Sequence, residues 1–161
     1  MHKLCELDDL GKLDPRSIDE RLAPYLAAWR KFRRECGFVP HSIEDRVSHE
    51  EMGYAGTLDR DGEMNGGLTA RPTLPGTLDL FDIKTTAQLG PEVGPQLAGY
   101  LHAKNRTRPA RPLYRRFAVQ LRPDGTYRLK EHADASDYAT FLACLQIWNF
   151  RQRHGKRHHA L

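Results

Sequence analysis

Apolar side chains recur at every third or fourth position through segment 17–36, which is the spacing of one face of an α-helix. The residues on that face are Ile18, Leu22, Tyr25, Leu26, Trp29, Phe32 and Cys36. Proline fits only the first turn of a helix, so we expect a break near Leu22 and a main helix that begins at Pro24. Gly37 is a typical residue at the end of such a helix.

Alternating positions predict strands along much of the remaining chain. In segment 53–63, the side chains of Tyr54, Gly56 and Leu58 share one face and Asp59 lies on the other. Segment 64–76, rich in Gly and Pro, predicts a long loop, and Pro123-Asp124-Gly125 predicts a hairpin turn. The predicted strands cover 41–48, 53–63, 77–86, 115–122 and the segment around Tyr127 and Leu129, and two further helices cover 96–104 and the segment after Asp134 or Ser136.

The predicted order is helix, three strands, helix, two strands, helix, which indicates an α/β domain around a small mixed sheet. The chain of 161 residues has the length of one domain, so we assign residues 1–153 to that domain and residues 154–161 to a basic tail.

Composition excludes several classes of protein. Lys and Arg number 25 against 21 Asp and Glu, which gives a net charge of only +4. The apolar runs are too short for a membrane span, and the polar first twenty residues do not resemble a signal peptide. Three cysteines, an odd number, indicate reduced thiols and a cytoplasmic protein, and they are too few for a four-cysteine iron–sulfur cluster.

Candidate chemistry lies at the end of the predicted third strand. Asp82 and Lys84 are two residues apart and therefore share a face, while Ile83 points to the other face. Such charges are costly on a central strand unless they are paired or bind a ligand, although on an edge strand they would be an ordinary solvated ion pair. If the neighbouring strand brings Asp59 alongside Asp82, two hard oxygen ligands suit Mg²⁺ or Mn²⁺.

The following helix adds two polar side chains. Gln96 and Tyr100 are four residues apart, so they lie on one helical face. Gln96 could place a water molecule or a phosphate oxygen, whereas Tyr100 could equally belong to the core.

Three motifs in this order carry a resemblance to a known family. The segments 56–59 (Gly-Thr-Leu-Asp) and 82–85 (Asp-Ile-Lys-Thr), followed by Gln96 and Tyr100, resemble the PD-(D/E)XK nuclease superfamily, and most of all its RecB-like and lambda-exonuclease-like branch of phage recombination nucleases. The resemblance covers residues 17–122 and implies a restriction-endonuclease-like core in the order α-β-β-β-α-β-β-α. The long loop 64–76 departs from the tight hairpin that is usual in the family.

The resemblance also implies roles for individual residues. Asp59 and Asp82 would be metal ligands for Mg²⁺ or Mn²⁺, the Ile83 carbonyl would join them, and Lys84 would be the catalytic lysine. Gln96 would act in catalysis and Tyr100 would support it. A further upstream ligand is usual in the family, and the candidates are Glu44, which we favour, and Glu35, His41 and His49.

The implied activity is that of a metal-dependent DNA nuclease which hydrolyses phosphodiester bonds. We expect an exonuclease that acts on DNA ends in phage recombination or repair, in the bacterial host cytoplasm if the protein is phage-encoded. The alternatives are a structure-selective endonuclease and a non-catalytic nucleic-acid-binding or inhibitory protein with a nuclease fold. The partners implied are DNA and a single-strand annealing protein, and a homo-oligomer is compatible with the resemblance.

Segment 104–116 contains six basic residues and no acidic one. A solvated loop would explain this composition, but its position after the Gln96 helix favours contacts with DNA phosphates. The candidate contacts are Lys104, Arg106, Arg108, Arg111, Arg115 and Arg116. The segment from Arg151 to His159 is also basic, and Trp29 and Trp148 are predicted to be core residues.

Overall fold

The computed structural model describes residues 1–67, 70–107 and 112–154. Within these residues, four α-helices flank one five-stranded mixed sheet, which confirms the predicted α/β class. The elements in chain order are α1 (His2–Asp9), α2 (Ala23–Cys36), β1 (Phe38–His49), β2 (Tyr54–Met64), β3 (Leu78–Lys84), α3 (Val93–Thr107), β4 (Leu113–Leu121), β5 (Tyr127–Glu131) and α4 (Asp137–His154), with one 3₁₀ turn at Pro15–Ser17.

The strands lie side by side in chain order. The β1–β2, β2–β3 and β4–β5 pairs are antiparallel, and the β3–β4 pair is parallel. A parallel pair needs a long crossover connection, and α3 supplies it. Strand β3 is therefore central, and six of its seven residues are buried. Its carboxyl end, where Lys84 lies, leads into the loop before α3.

Two apolar clusters cover opposite faces of the sheet. Phe81 and Ile83 belong to one cluster, while Leu78 and Leu80 belong to the other, as expected for alternating residues of a strand. The first cluster contains the buried face of α2, and the second contains residues of α3. Helices on both faces explain why β3 is almost continuously buried.

Helix α2 follows the sequence prediction. It has Pro24 in its first turn and ends at Cys36, where Gly37 takes the left-handed conformation at φ 57°. Trp29 and Phe32 are fully buried, with ring centroids 5.3 Å apart. The assignment of Trp29 to the core is confirmed.

Tyr54, Gly56 and Leu58, which the sequence places on one face of β2, all lie towards α3. The Tyr54 hydroxyl donates a hydrogen bond to the Gly99 carbonyl at 3.0 Å. A Cβ atom at Gly56 would lie 2.5 Å from a ring carbon of Tyr100, so the close approach of strand and helix requires glycine there. Leu58 belongs to the same apolar cluster as α3.

Helix α1 was not predicted, and one carboxylate fixes it to the rest of the domain. The buried Asp9 carboxylate accepts hydrogen bonds from Trp29 Nε1 at 2.9 Å, from Arg33 at 2.8 Å and from Arg60 at 2.8 Å. These donors come from α2 and β2, so the end of α1 is tied to both elements.

Helix α4 packs along α3. Its residues are at least partly exposed, and Trp148 is 56% exposed. The assignment of Trp148 to the core is therefore wrong, because no described element covers that side of the helix. None of the helices in the described ranges has the length and apolar character needed to cross a membrane.

A buried ion pair joins β3 to β4. Arg115 donates to both oxygens of Asp79, at 3.0 Å and 2.6 Å, and the Asp79 side chain is fully buried. We expect Asp79→Ala to lower the free energy of unfolding by about 3–5 kcal/mol, because it leaves the Arg115 charge without its partner inside the protein. Urea unfolding would measure the loss.

The matched control for this prediction is the double variant Asp79→Leu with Arg115→Leu, which removes both charges. It should recover a large part of the loss. A single Asp79→Ala variant as stable as the original protein would contradict the assigned pair.

Candidate functional site

The two predicted carboxylates lie side by side on β2 and β3, near the carboxyl end of the central strand β3. In the antiparallel register Arg60 lies opposite Phe81, so the next step outward brings Asp59 alongside Asp82. Asp59 Oδ2 also accepts a hydrogen bond of 2.7 Å from the Ile83 amide. Both carboxylates are buried, with Asp59 7% and Asp82 3% exposed. The structure therefore brings together the two residues on which the sequence interpretation depended.

A chain of polar contacts joins Asp82 to the predicted lysine and then to the two α3 residues. Lys84 Nζ lies 2.7 Å from Asp82 Oδ2 and donates a hydrogen bond of 3.3 Å to Gln96 Oε1. Gln96 Nε2 in turn donates to the Tyr100 hydroxyl at 3.1 Å. Side chains from all three motifs thus lie in one continuous cluster, and the helical spacing of Gln96 and Tyr100 holds them on the face that meets Lys84.

A third group comes from β1. Glu44 has an unusual backbone conformation for a non-glycine residue, with φ 50°, and this conformation costs energy that surrounding contacts must offset. Its carboxylate accepts a hydrogen bond of 2.9 Å from Arg60 Nη1. Ligand atoms of Glu44, Asp59 and His2 all lie within 4.8 Å of one another. Glu44 is therefore close to Asp59 and His2, and its role as the upstream ligand stays a prediction.

The other upstream candidates lie in different surroundings. His41 contacts Glu63 at 3.3 Å, and His49 packs against Tyr54 with ring centroids 5.3 Å apart. Glu35 accepts a hydrogen bond of 3.0 Å from the Tyr127 hydroxyl. The structure does not bring these three side chains to the cluster.

His2 is a site residue that sequence reasoning missed. Its Nδ1 donates to Asp59 Oδ1 at 3.0 Å. The two residues are 57 positions apart, and the short helix α1 that carries His2 was not predicted from the sequence. No local signal in the sequence therefore points to His2.

Burial and neighbouring charges change the pKa values of two residues of the cluster, Asp82 and His2. Burial, and then the nearby Asp59 carboxylate, raise the pKa of Asp82 to about 6, although the hydrogen bond from Lys84 acts in the opposite direction. The hydrogen bond to Asp59 raises the pKa of His2 against the effect of partial burial. Because these surroundings disfavour the charged form of Asp82, a bound cation would stabilise that form.

The donor set fits a divalent metal ion. Carboxylate oxygens suit Mg²⁺ and Mn²⁺, and an imidazole nitrogen such as that of His2 is a ligand that Mn²⁺ also accepts. Glu44, Asp59 and His2 could each offer one atom to such an ion, with Asp82 beside them.

The predicted phosphate contacts are corrected at three positions. Lys104 is 2% exposed and pairs with Asp61 at 3.0 Å and with Asp45. Arg115 pairs with Asp79, as described above. The Arg116 side chain is 11% exposed and pairs with Asp137 at 3.0 Å. The Lys104 and Arg115 side chains are buried against acids of the protein itself, and Arg116 is largely covered and paired with an acid in the same way.

The structure leaves the other three candidate phosphate contacts, Arg106, Arg108 and Arg111, as predictions. The Arg106 side chain is 47% exposed and pairs with Glu51 at 2.6 Å, so its role stays a prediction. Arg108 and Arg111 lie outside the described residues, as does the predicted basic tail beyond His154.

Comparisons with known proteins identify the fold class. No protein-family model and no curated protein matches the sequence. Among solved structures, the chain is similar to a presumed exonuclease from Eubacterium rectale, whose crystal structure was determined at 2.19 Å resolution. The TM-score is 0.58 at 10% identity, and the match covers 96% of this chain. At this identity the likeness shows the fold, which is consistent with the restriction-endonuclease-like class. The chain spans 66% of the length of that protein.

The cluster predicts metal binding that depends on its acids. We expect Asp59→Asn to weaken Mn²⁺ binding by at least about tenfold, because it replaces a charged ligand at the centre of the cluster. Isothermal titration calorimetry would measure the affinity. Glu20→Gln is the matched control, since Glu20 is exposed and lies outside the cluster. Equal affinities for the original protein and Asp59→Asn would contradict this site.

The raised pKa of Asp82 predicts a pH-dependent stability. A carboxyl group with a raised pKa destabilises the folded state above that pKa, and the penalty disappears as the pH falls and the group is protonated. In metal-free buffer at pH 8, we therefore expect Asp82→Asn to be more stable than the original protein by about 1–3 kcal/mol. The difference should shrink as the pH falls through about 6, and thermal unfolding would measure it. A less stable variant at pH 8 would contradict the assigned strain.

Proposed function

We propose that this protein is a metal-dependent nuclease that hydrolyses phosphodiester bonds in DNA. The observation that supports the proposal is the convergence of Glu44, Asp59 and His2 beside the pair Asp82 and Lys84. A phosphodiester is anionic and needs both a source of a nucleophile and a group that offsets developing charge. This cluster can offer acids for a cation and a lysine for the phosphate.

In the proposal, Asp59 and Asp82 hold Mg²⁺ or Mn²⁺, with the Ile83 carbonyl and Glu44 completing the protein ligands. His2 is added to this set because of its contact with Asp59. A bound cation would lower the pKa of a coordinated water molecule and neutralise charge on the phosphate. The buried position of the acids keeps their geometry fixed.

Lys84 is the proposed electrostatic catalyst. Its ammonium group is held by Asp82 on one side and Gln96 on the other, so it needs little reorganisation to face a phosphate oxygen. The side-chain oxygen of Gln96 accepts a hydrogen bond from Lys84 and so orients the lysine. The same oxygen can also accept a hydrogen bond from a water molecule. Tyr100 fixes the amide of Gln96 from behind, so its role is positioning.

For the mode of cleavage, we propose an exonuclease that acts on DNA ends in phage recombination or repair. The sequence motifs favour this assignment, and the structural neighbour described as a presumed exonuclease supports it. A structure-selective endonuclease would use the same cluster. A non-catalytic DNA-binding protein has no need of an acid, a lysine and an amide in contact.

Labelled linear and circular duplex DNA, each incubated with the protein and Mg²⁺, would separate these activities. Loss of the linear substrate alone supports the exonuclease. Nicked or linearised circles indicate an endonuclease instead. Binding without cleavage under both Mg²⁺ and Mn²⁺ would reject the enzymatic proposal.

Substitutions in the cluster test its residues. We expect Asp82→Ala to abolish detectable cleavage and Lys84→Met to reduce the cleavage rate by about 10²–10³-fold, because each removes a charge at the reacting phosphate. Initial rates on end-labelled DNA would measure the effect, with circular dichroism to verify folding. The exposed Glu20→Gln variant should retain full activity. An Asp82→Ala variant that cleaves normally would show that the site lies elsewhere.

A further inference from the structure

An apolar groove lies directly beside the candidate site, between α3 and α4. It has a volume of about 430 Å³, and its walls include Pro91, Pro95, Gln96, Phe141 and Cys144. Gln96 is the same residue that accepts a hydrogen bond from Lys84. Any molecule in the groove would therefore lie one side chain away from the proposed catalytic lysine.

The groove continues onto the projecting half of α4. Tyr138 stacks on His102 with ring centroids 3.5 Å apart, Phe141 packs at Gly99, and Cys144 shares the groove with Pro91. Successive turns of α4 thus meet earlier turns of α3, so the two helices run in opposite directions. Segment 145–154 consequently continues past the beginning of α3, on the side of the candidate site.

This projecting segment exposes large apolar side chains. Ile147 and Trp148 are each 56% exposed, and Phe150 is 58% exposed. By contrast, Trp29 is fully buried. Trp148 shares the helical face of Phe141 and Cys144 and therefore extends the groove with exposed apolar surface, whereas Phe150 lies two positions further on and points to another side of α4.

The charge of the segment narrows the choice of ligand. Arg151 and Arg153 follow the aromatic residues on α4 and are exposed. No Asp or Glu occurs in the sequence after Asp137. One acid, Glu92, lines the groove near the beginning of α3, so the positive charge of the surface lies at the end of α4, beside the exposed ring of Trp148. Single-stranded nucleic acid is the polymer that matches both features, because its bases stack on aromatic rings while its phosphates contact arginine.

We propose that the groove and the exposed end of α4 bind unpaired bases of a single-stranded DNA segment beside the candidate site. One base lies in the groove against Phe141 and a further base stacks on Trp148, while Arg151 on the same face of α4 contacts a phosphate. This inference rests on the proposed nuclease function and specifies its substrate as a strand with unpaired bases. A base inside an intact duplex is already stacked and cannot enter the groove.

Affinity for a fluorescent oligodeoxythymidylate, measured by anisotropy in metal-free buffer, tests the stacking surface. Trp148→Ala should weaken binding by about fivefold or more, and Trp148→Phe should recover most of that loss because the ring is kept. Ile147→Ala is the matched control, since it removes similarly exposed apolar surface without a ring. Equal binding by Trp148→Ala and the original protein would overturn the proposal.

The exposed thiol gives a second measurement on the groove itself. Cys144 is exposed, whereas Cys5 and Cys36 are buried, so a maleimide reagent should modify Cys144 first. The oligodeoxythymidylate should slow this modification several-fold, and a blunt duplex with the same number of phosphates should not. An unchanged rate with saturating oligonucleotide would remove the groove from the binding site.

Sedimentation velocity tests whether the surface instead joins two copies of the chain. A dimer that dissociates on Trp148→Ala and on Ile147→Ala alike would overturn the proposal in favour of self-association. The outcomes also separate this inference from the proposed function. Oligonucleotide binding that needs Trp148, together with no cleavage, rejects the function alone. Cleavage that needs Asp82 but binding that ignores Trp148 rejects this inference alone.

Discussion

The buried guanidinium group of Arg60 is the contact on which the candidate site depends. Its Nε donates to Asp9 at the end of α1, and its Nη1 donates both to Glu44 on β1 and to the Asp59 carbonyl on β2. Arg60 is fully buried, so separating it from these partners would leave a charge in the core at a cost of several kcal/mol. The same contact that stabilises the core therefore holds α1 in place and keeps His2 near Asp59.

The candidate site also concentrates buried acids at the end of β3. Asp59 and Asp82 are buried side by side, and burial together with the Asp59 carboxylate raises the pKa of Asp82. A domain selected only for stability would replace one of them with a neutral residue. Retaining both, against Lys84 as the near counter-charge of Asp82, is the arrangement expected of a site that binds a cation, where stability is given up for function.

The sequence predicted those features that depend on local spacing. The face shared by Asp82 and Lys84, the helical pair Gln96 and Tyr100, and the α2 boundary all follow from periodicity or from one proline or glycine. It could not predict His2, because its partner lies 57 residues away. Long-range pairing also explains the errors in the basic segment. Lys104 and Arg115 are buried by acids 59 and 36 positions distant, whose location depends on the sheet register.

Correcting the basic segment changes where a polyanion could be bound. The sequence predicts phosphate contacts in segment 104–116, yet in the folded protein Lys104, Arg115 and Arg116 pair with acids of the same chain. These ion pairs contribute no net charge to the surface of the protein. Arg151 and Arg153 at the end of α4 are exposed and no acid follows Asp137 in the sequence, while one acid, Glu92, lines the adjacent groove. Exposed charge therefore points to α4, where aromatic rings can add stacking to electrostatic attraction.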